Sequence, residues 1–166
     1  MKKLFQDILL TWLRITAQLQ LKKNRPYLIG ITGSAGKTST VNAVAQVLKT
    51  KYRVKQTNKG NSETGLPMEL LNIPIRNYSG LDWLTVILQS LWQLLFYWPD
   101  HQVFVAEMGV DSDQYPKNMS YLLRIFQPQA GVVLNIGHVH GANFSGKNSA
   151  QAIAQEKVKL LNSLPA

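Results

Sequence analysis

Residues 27–39 read Tyr-Leu-Ile-Gly-Ile-Thr-Gly-Ser-Ala-Gly-Lys-Thr-Ser. Tyr27–Thr32 has the composition of a short buried strand. From Lys37 to Thr50 the pattern turns helical, with Val41, Val44, Ala45 and Leu48 on the face expected to meet a core. Gly33-Ser34-Ala35-Gly36-Lys37-Thr38-Ser39 therefore joins a strand to a helix. Glycines let such a turn tighten until several N–H groups converge on one anion, and the helix N-terminus adds positive potential. Lys37 can reach β- and γ-phosphates, and the Thr38 hydroxyl suits Mg²⁺. The longer G-x-x-x-x-G-K-[ST] pattern is not met, because Ile31 stands where its first glycine belongs. The G-x-G-x-x-G spacing of dinucleotide folds is absent as well. The loop predicts nucleotide phosphate binding.

Outward from the loop, strand and helix patterns alternate. Tyr52–Gln56, Val103–Glu107 and Gly131–Ile136 read as strands. Asn118–Phe126 and Ser149–Leu164 read as helices. Asn58–Ser79 is rich in Gly and Pro and reads as loop, with a short helical turn at Met68–Leu71. Such alternation predicts an α/β fold: a phosphate-loop, mostly parallel sheet with helices on both faces.

Two further segments are strongly apolar. In residues 3–21, Leu4, Phe5, Ile8, Trp12, Ile15 and Leu19 recur at helical steps. That amphipathic helix either packs on protein or lies on an anionic membrane. Residues 83–98 form a run of roughly 24 Å as a helix, short of the ~30 Å hydrocarbon core. They are expected to be a buried crossover helix, with a membrane- or partner-facing patch as the alternative. Ser79 and Asp82 have capping-box spacing before it, and Gln89 and Gln93 share one face.

The chain has 166 residues, 45% of them hydrophobic, and no cysteine. It is long enough for a real core and too apolar for disorder, and it has no thiol chemistry. Its net charge of +9 is uneven. Residues 1–60 hold 12 Lys/Arg and one acid, Asp7, whereas residues 61–166 hold 6 and 8. A basic front half suits phosphorylated small molecules, anionic lipid or nucleic acid. Nucleic acid is not expected, because the aromatics lie in apolar runs rather than among the basic residues.

Glu107 ends its strand at the edge where open parallel sheets bind ligands, and a carboxylate there can hold Mg²⁺. Asp111 and Asp113 follow, as metal partners or as turn and cap residues. His138 and His140 follow the strand at 131–136. Zinc is disfavoured for want of further ligands, leaving an Mg²⁺ or phosphate contact or a plain loop role. Nothing in the spacing around Lys157 distinguishes it from a solvated lysine.

Taken together, Ile31–Thr40, Asn61–Pro67, Glu107-Met108-Gly109, Asn135-Ile136-Gly137 with His140, and Ala154–Leu161 resemble the ATP-binding central domain of the Mur ligases. The blocks occur in family order across about residues 27–164. The Asn61–Pro67 block and Glu107-Met108-Gly109 are most similar to the branch that adds D-alanyl-D-alanine to a UDP-muramoyl-tripeptide. The resemblance implies that Gly33, Ser34, Ala35, Gly36, Lys37, Thr38 and Ser39 bind ATP. It implies one Mg²⁺ on Thr38 and Glu107, and His140 at a second. Lys157 matches the lysine that the family carbamylates, which would make it an anionic metal ligand or orienting group. Lys37, His140 and Lys157 are thus the implied catalytic residues, and Asn61, Ser62 and Glu63 the implied substrate side.

The implied partners are a UDP-muramoyl-peptide and an amino acid or dipeptide. The implied place is the cytoplasm; peripheral membrane contact through residues 1–21 or 83–98 is the alternative that the two apolar segments leave open. Residues 1–25 are expected to be the helix and 26–166 a partial central domain, without the family's sugar-binding and C-terminal domains and with incomplete catalysis. A stand-alone phosphate-loop ATP-binding or ATPase accessory is the alternative.

Overall fold

A computed structural model of the chain describes residues 2–74, 80, 82–137, 143–144 and 149–165. Ten elements follow in the order α1 (Lys2–Asn24), β1 (Tyr27–Thr32), α2 (Lys37–Lys49), β2 (Val54–Gln56), α3 (Gly65–Leu70), α4 (Asp82–Phe96), β3 (Val103–Glu107), α5 (Met119–Ile125), β4 (Ala130–Val133) and α6 (Ser149–Asn162). The four strands form one parallel sheet in the order β2-β3-β1-β4. Tyr27 pairs with Val103 and Ile31 with Glu107, so the ends of β1 and β3 are level.

The two central strands are apolar on both sides because both sides are covered. Ile29, Ile31, Val103 and Val105 turn toward α2, where Val41 and Ala45 are fully buried and Val44 and Leu48 pack at the margin. Leu28, Phe104 and Ala106 turn the other way, into the main core with Leu10, Leu122, Phe126 and Leu160. Period-two alternation thus feeds two cores instead of one core and solvent.

The element reading from sequence holds, with boundary shifts. β2 is shorter than expected, β4 ends at Val133 rather than Ile136, and the short helix runs from Gly65 to Leu70. Asn118 caps α5 by accepting the Tyr121 N–H at 2.9 Å. Ser79, and with it the capping box, lies outside the described residues.

Two expectations are corrected. α1 does pack on the domain, but through Leu9, Leu10, Leu13, Thr16, Ala17 and Gln20. Leu4, Phe5, Ile8, Ile15 and Leu19 face outward, and Trp12 is half-buried at the boundary. The helix is apolar on two sides, and periodicity alone could not tell which side would be used. α4 does lie in the crossover between β2 and β3, but it is not buried. Only Val86 and Ser90 are buried, because α4 leans on α1 and not on the sheet.

Candidate functional site

The chain leaves β1 through α2 toward β2, and leaves β3 through α5 toward β4. These connections leave the neighbouring ends of β1 and β3 in opposite directions, one over each face of the sheet. Such a switch point opens the crevice where ligands bind in open parallel sheets. The loop Gly33–Gly36 and Glu107 both lie there.

Gly36 adopts φ 82°, the left-handed region that favours glycine, and starts α2 directly behind it. Lys37 and Thr38 occupy the first turn, whose N–H groups have no partners within the helix. Ser39 follows on the same turn and is exposed.

Glu107 is the hub. Its Oε2 accepts the Thr38 hydroxyl at 2.6 Å, its Oε1 accepts the Asn61 amide at 2.9 Å, and Lys37 Nζ lies 4.0 Å from Oε1. Its own N–H donates to Thr57 Oγ1 at 2.8 Å. The carboxylate is largely buried, so these groups replace its hydration.

Asn61 arrives through a pinned loop. Glu69 Oε1 accepts the N–H groups of Asn58, Lys59 and Gly60 at 3.1, 2.9 and 3.2 Å. A Cβ on Gly60 would stand 2.3 Å from the Gly65 carbonyl oxygen, so only glycine permits this close approach. The Gly109 N–H then donates to the Asn61 carbonyl at 2.8 Å.

Lys157 comes from α6. It is 3% exposed, and its Nζ donates to the Gly33 carbonyl at 3.1 Å. Burial, and then the neighbouring Lys37 charge, push its pKa down to about 8, while Asp111 opposes the shift. It is a buried lysine at the phosphate loop, not a solvated one. Gly33, Ser34, Lys37, Asn61, Asp111 and Lys157 line a polar cavity of about 120 Å³.

The structure therefore brings together the phosphate loop, Lys37, Thr38, Asn61, Glu107 and Lys157. Asp111 joins them, whereas Asp113 sits in the turn before α5, where its carbonyl accepts the Asn118 amide. Ser62 and Glu63 do not line the cavity; the Ser62 hydroxyl accepts the Gly65 N–H at the start of α3. His138 and His140 lie outside the described residues, as does most of the loop 141–147.

Asn135 was given no side-chain role from sequence. Asn135 Oδ1 accepts the Ser34 and Ala35 N–H groups at 3.0 and 2.9 Å, and its Nδ2 donates to the Ala35 carbonyl at 3.0 Å. This side chain braces the loop and occupies two of its N–H donors, leaving the α2 N-terminus and Lys37 as the anion-facing groups. Its signals were its place just after β4, level with the loop, and its membership of the Asn135-Ile136-Gly137 block, which was quoted without a role for the side chain. Thr57 and Glu69 were missed too, and nothing in the sequence separates them from ordinary polar loop residues.

Thr38 and Glu107 present two adjacent oxygen donors, one of them anionic. That donor set fits Mg²⁺, a hard cation that prefers oxygen. Among the described residues, no group of three or more His, Asp or Glu could hold a metal by itself.

A parallel sheet with a braced strand-to-helix loop, an adjacent lysine and a carboxylate at the switch point define a phosphate-loop α/β domain. The comparisons with known proteins narrow this. The family model described as the Mur ligase middle domain matches residues 31–166, and the chain belongs to that family. The UDP-N-acetylmuramoyl-tripeptide--D-alanyl-D-alanine ligase of Bacillus subtilis is 30% identical over 159 residues, covering 95% of this chain and 28% of that protein. The ligase of the same name from Mycobacterium leprae is 34% identical over 134 residues, covering 80% of this chain and 20% of that protein. A crystal structure of MurF from Acinetobacter baumannii superposes with a TM-score of 0.67 at 23% identity, covering 95% of this chain and 28% of that one. MurF ligase from Thermotoga maritima in complex with ADP gives 0.63 at 22%, covering 93% and 30%. The chain thus spans less than a third of the length of these relatives.

Proposed function

We propose that this chain supplies the ATP-phosphate and metal site of an ATP-dependent amide-forming ligase in peptidoglycan precursor synthesis. The observation that carries the reading is that Lys37, Asn61 and Lys157 line one small polar cavity beside the phosphate loop, with Glu107 tying Thr38 to the Asn61 wall of it. The substrates come from the family: a UDP-muramoyl-peptide carboxylate and the amine of D-alanyl-D-alanine or a related amino acid or dipeptide. The full reaction is proposed for a protein that also contains the parts its relatives have beyond this region.

In the reaction, a carboxylate oxygen attacks the γ-phosphorus of ATP. The bond to the β,γ-bridging oxygen breaks, giving an acyl phosphate and ADP. The amine nitrogen then attacks the acyl carbon, and the tetrahedral intermediate expels inorganic phosphate as the nitrogen loses a proton.

Lys37 offsets the negative charge that accumulates as the phosphoryl group moves. The α2 N-terminus holds the β-phosphate side of the chain. Thr38 and Glu107 would hold Mg²⁺, with His140 assigned to a second ion by family resemblance; the metal supplies charge neutralisation on the phosphate oxygens. Asn61 orients Glu107, and Ser62 and Glu63 are kept as substrate-side residues on family resemblance alone. A lowered pKa leaves part of Lys157 as the free amine near neutral pH. That neutral amine would add CO₂ to form a carbamate with release of one proton; counted from the ammonium, two protons leave as a buried cation becomes an anion beside the phosphate loop. Use of ATP and a nucleotide sugar supports a cytoplasmic site of action.

Calorimetric titration with ATP, with and without Mg²⁺, tests the site. Saturable, Mg²⁺-assisted binding that Lys37→Ala weakens strongly is expected, and binding unchanged by that substitution overturns the assignment. Phosphate release that depends on an added muramoyl-peptide acceptor separates a ligase from a free-standing ATPase module.

A further inference from the structure

The outward sides of α1 and α4 form an apolar surface that, among the described residues, nothing covers. On α1, Ile8, Ile15 and Leu19 are 59, 43 and 42% exposed. On α4, Leu88, Trp92 and Phe96 are 59, 63 and 61% exposed. Single exposed apolar residues are ordinary, but two adjoining helical stripes are not. The helices are neighbours: Trp12 Nε1 donates to Ser90 Oγ at 2.8 Å, and Gln20 Nε2 donates to the Tyr97 carbonyl at 2.9 Å. Both pairs ascend together, so the helices run side by side in the same direction.

The charge around this surface is mostly positive, although Asp7 lines the same groove as Ile8, Trp12 and Ile15. Residues 1–25 carry six Lys/Arg and the single acid Asp7, and Asp82 is the only ionisable residue of α4. Lys22, Lys23 and Arg25 cluster at the end of α1. There the Lys23 ammonium lies 4.5 Å from the ring centre of Trp98, itself 70% exposed. All four tryptophans of the chain belong to α1, α4 or the segment just after α4. Exposed aromatic and aliphatic side chains beside a lysine-rich rim suit the interface between water and lipid, where rings sit at headgroup depth and basic groups meet anionic phosphates.

We propose that the paired outer faces of α1 and α4 seat this domain on an anionic phospholipid bilayer. The helices lie in the interface; among the described residues no helix is long and apolar enough to cross a membrane. A second copy meeting this face would bring two like-charged rims into one interface, whereas an anionic bilayer meets the rim with opposite charge. The inference is independent of the ATP site, which lies at the carboxyl ends of the strands.

The test is flotation of the full chain with vesicles of phosphatidylcholine alone and of equimolar phosphatidylcholine and phosphatidylglycerol. The chain is expected to float with the mixed vesicles, to float far less with neutral ones, and to release as salt rises. Trp92→Glu with Phe96→Glu, and separately Lys22→Glu with Lys23→Glu, should each lower partitioning by roughly tenfold or more. If either pair lowers the thermal midpoint, Ile15→Glu with Leu88→Glu reads the same face. No flotation with mixed vesicles, or flotation that correctly folded variants leave unchanged, overturns the proposal. So does dimerisation that Trp92→Glu with Phe96→Glu abolishes while vesicle binding is absent; that result assigns the face to a second copy.

Discussion

Replacing Glu107 by Gln removes one charge at nearly constant volume and asks what holds the site together. In the native chain the carboxylate accepts from Thr38 and Asn61 and faces Lys37 at 4.0 Å. At an effective dielectric of about 20, opposite charges at that distance attract by about 4 kcal/mol before desolvation is subtracted. Each hydrogen bond to a charged acceptor contributes about 1.5–3 kcal/mol. The substituted amide keeps its oxygen for Asn61 and turns its N–H₂ to the Thr38 hydroxyl, which then accepts where it had donated, so the loss is mainly that of the charge on both bonds and opposite Lys37. Relief of carboxylate desolvation offsets part of the loss, leaving a net destabilisation of about 2–4 kcal/mol. Urea denaturation at neutral pH reads it directly.

ATP titration reads the functional side of the same substitution. Without Mg²⁺ the Glu107→Gln variant should bind ATP at least as well as the native chain, because a negative charge beside the phosphates is gone. With Mg²⁺ the native chain should gain affinity and the variant should not. A variant as stable as the native chain, or an equal Mg²⁺ enhancement in both, refutes Glu107 as the hub and metal ligand.

Three other outcomes follow from the same geometry. Lys37→Ala should weaken ATP binding by about 2–4 kcal/mol, since it strips a charge-assisted partner from the phosphates; calorimetry checks it. Lys157→Met should raise stability most at neutral pH. The folded-state pKa of about 8 lies below the ordinary 10.5, so the unfolded chain binds more protons between these values. Native stability therefore climbs with pH across that window relative to the variant, and parallel pH profiles would contradict a buried, shifted lysine. Asn135→Ala should cost about 1–3 kcal/mol in all, because its three bonds belong to a partly exposed loop. Hydrogen exchange at the Ala35 amide should accelerate with it, whereas the Ser34 amide keeps the Asn135 main-chain carbonyl as a partner; unchanged exchange at Ala35 would mean that Asn135 does not brace the loop.

Much of the site was legible because its chemistry is local. The phosphate loop needs a strand, a tight glycine turn and a helix in immediate succession, and all three lie within residues 27–50. Glu107 was legible from its place at the end of a strongly apolar strand. Lys157 was not, except through resemblance. Its helix pattern marks Ile153 and Leu160 as core but carries no sign that the lysine between them reaches Gly33, 124 residues earlier in the chain. Asn135 and Glu69 escaped for a related reason: each works by hydrogen-bonding backbone groups of another segment, and backbone partners leave no trace in residue identity.

The chain's sequence by itself determined the alternation of strands and helices, the position of the phosphate loop and the α/β class, because each rests on periodicity and short-range turn chemistry. Only the tertiary structure decided which side of a helix is inside. α1 is apolar nearly all round, so Leu9, Leu10 and Leu13 compete with Ile8, Ile15 and Leu19 on equal terms in any periodicity argument. The choice fell to shape, since the core formed by α3, α5 and the sheet accepts one face and leaves the other to the surface. α4 followed the same rule. Its apolar run made burial the natural expectation, but α1 already covered the nearby core, so α4 could bury only the narrow strip through Val86 and Ser90. Hydrophobicity sets how much surface a segment would gain by being covered, and the neighbours it meets decide how much of that surface is covered.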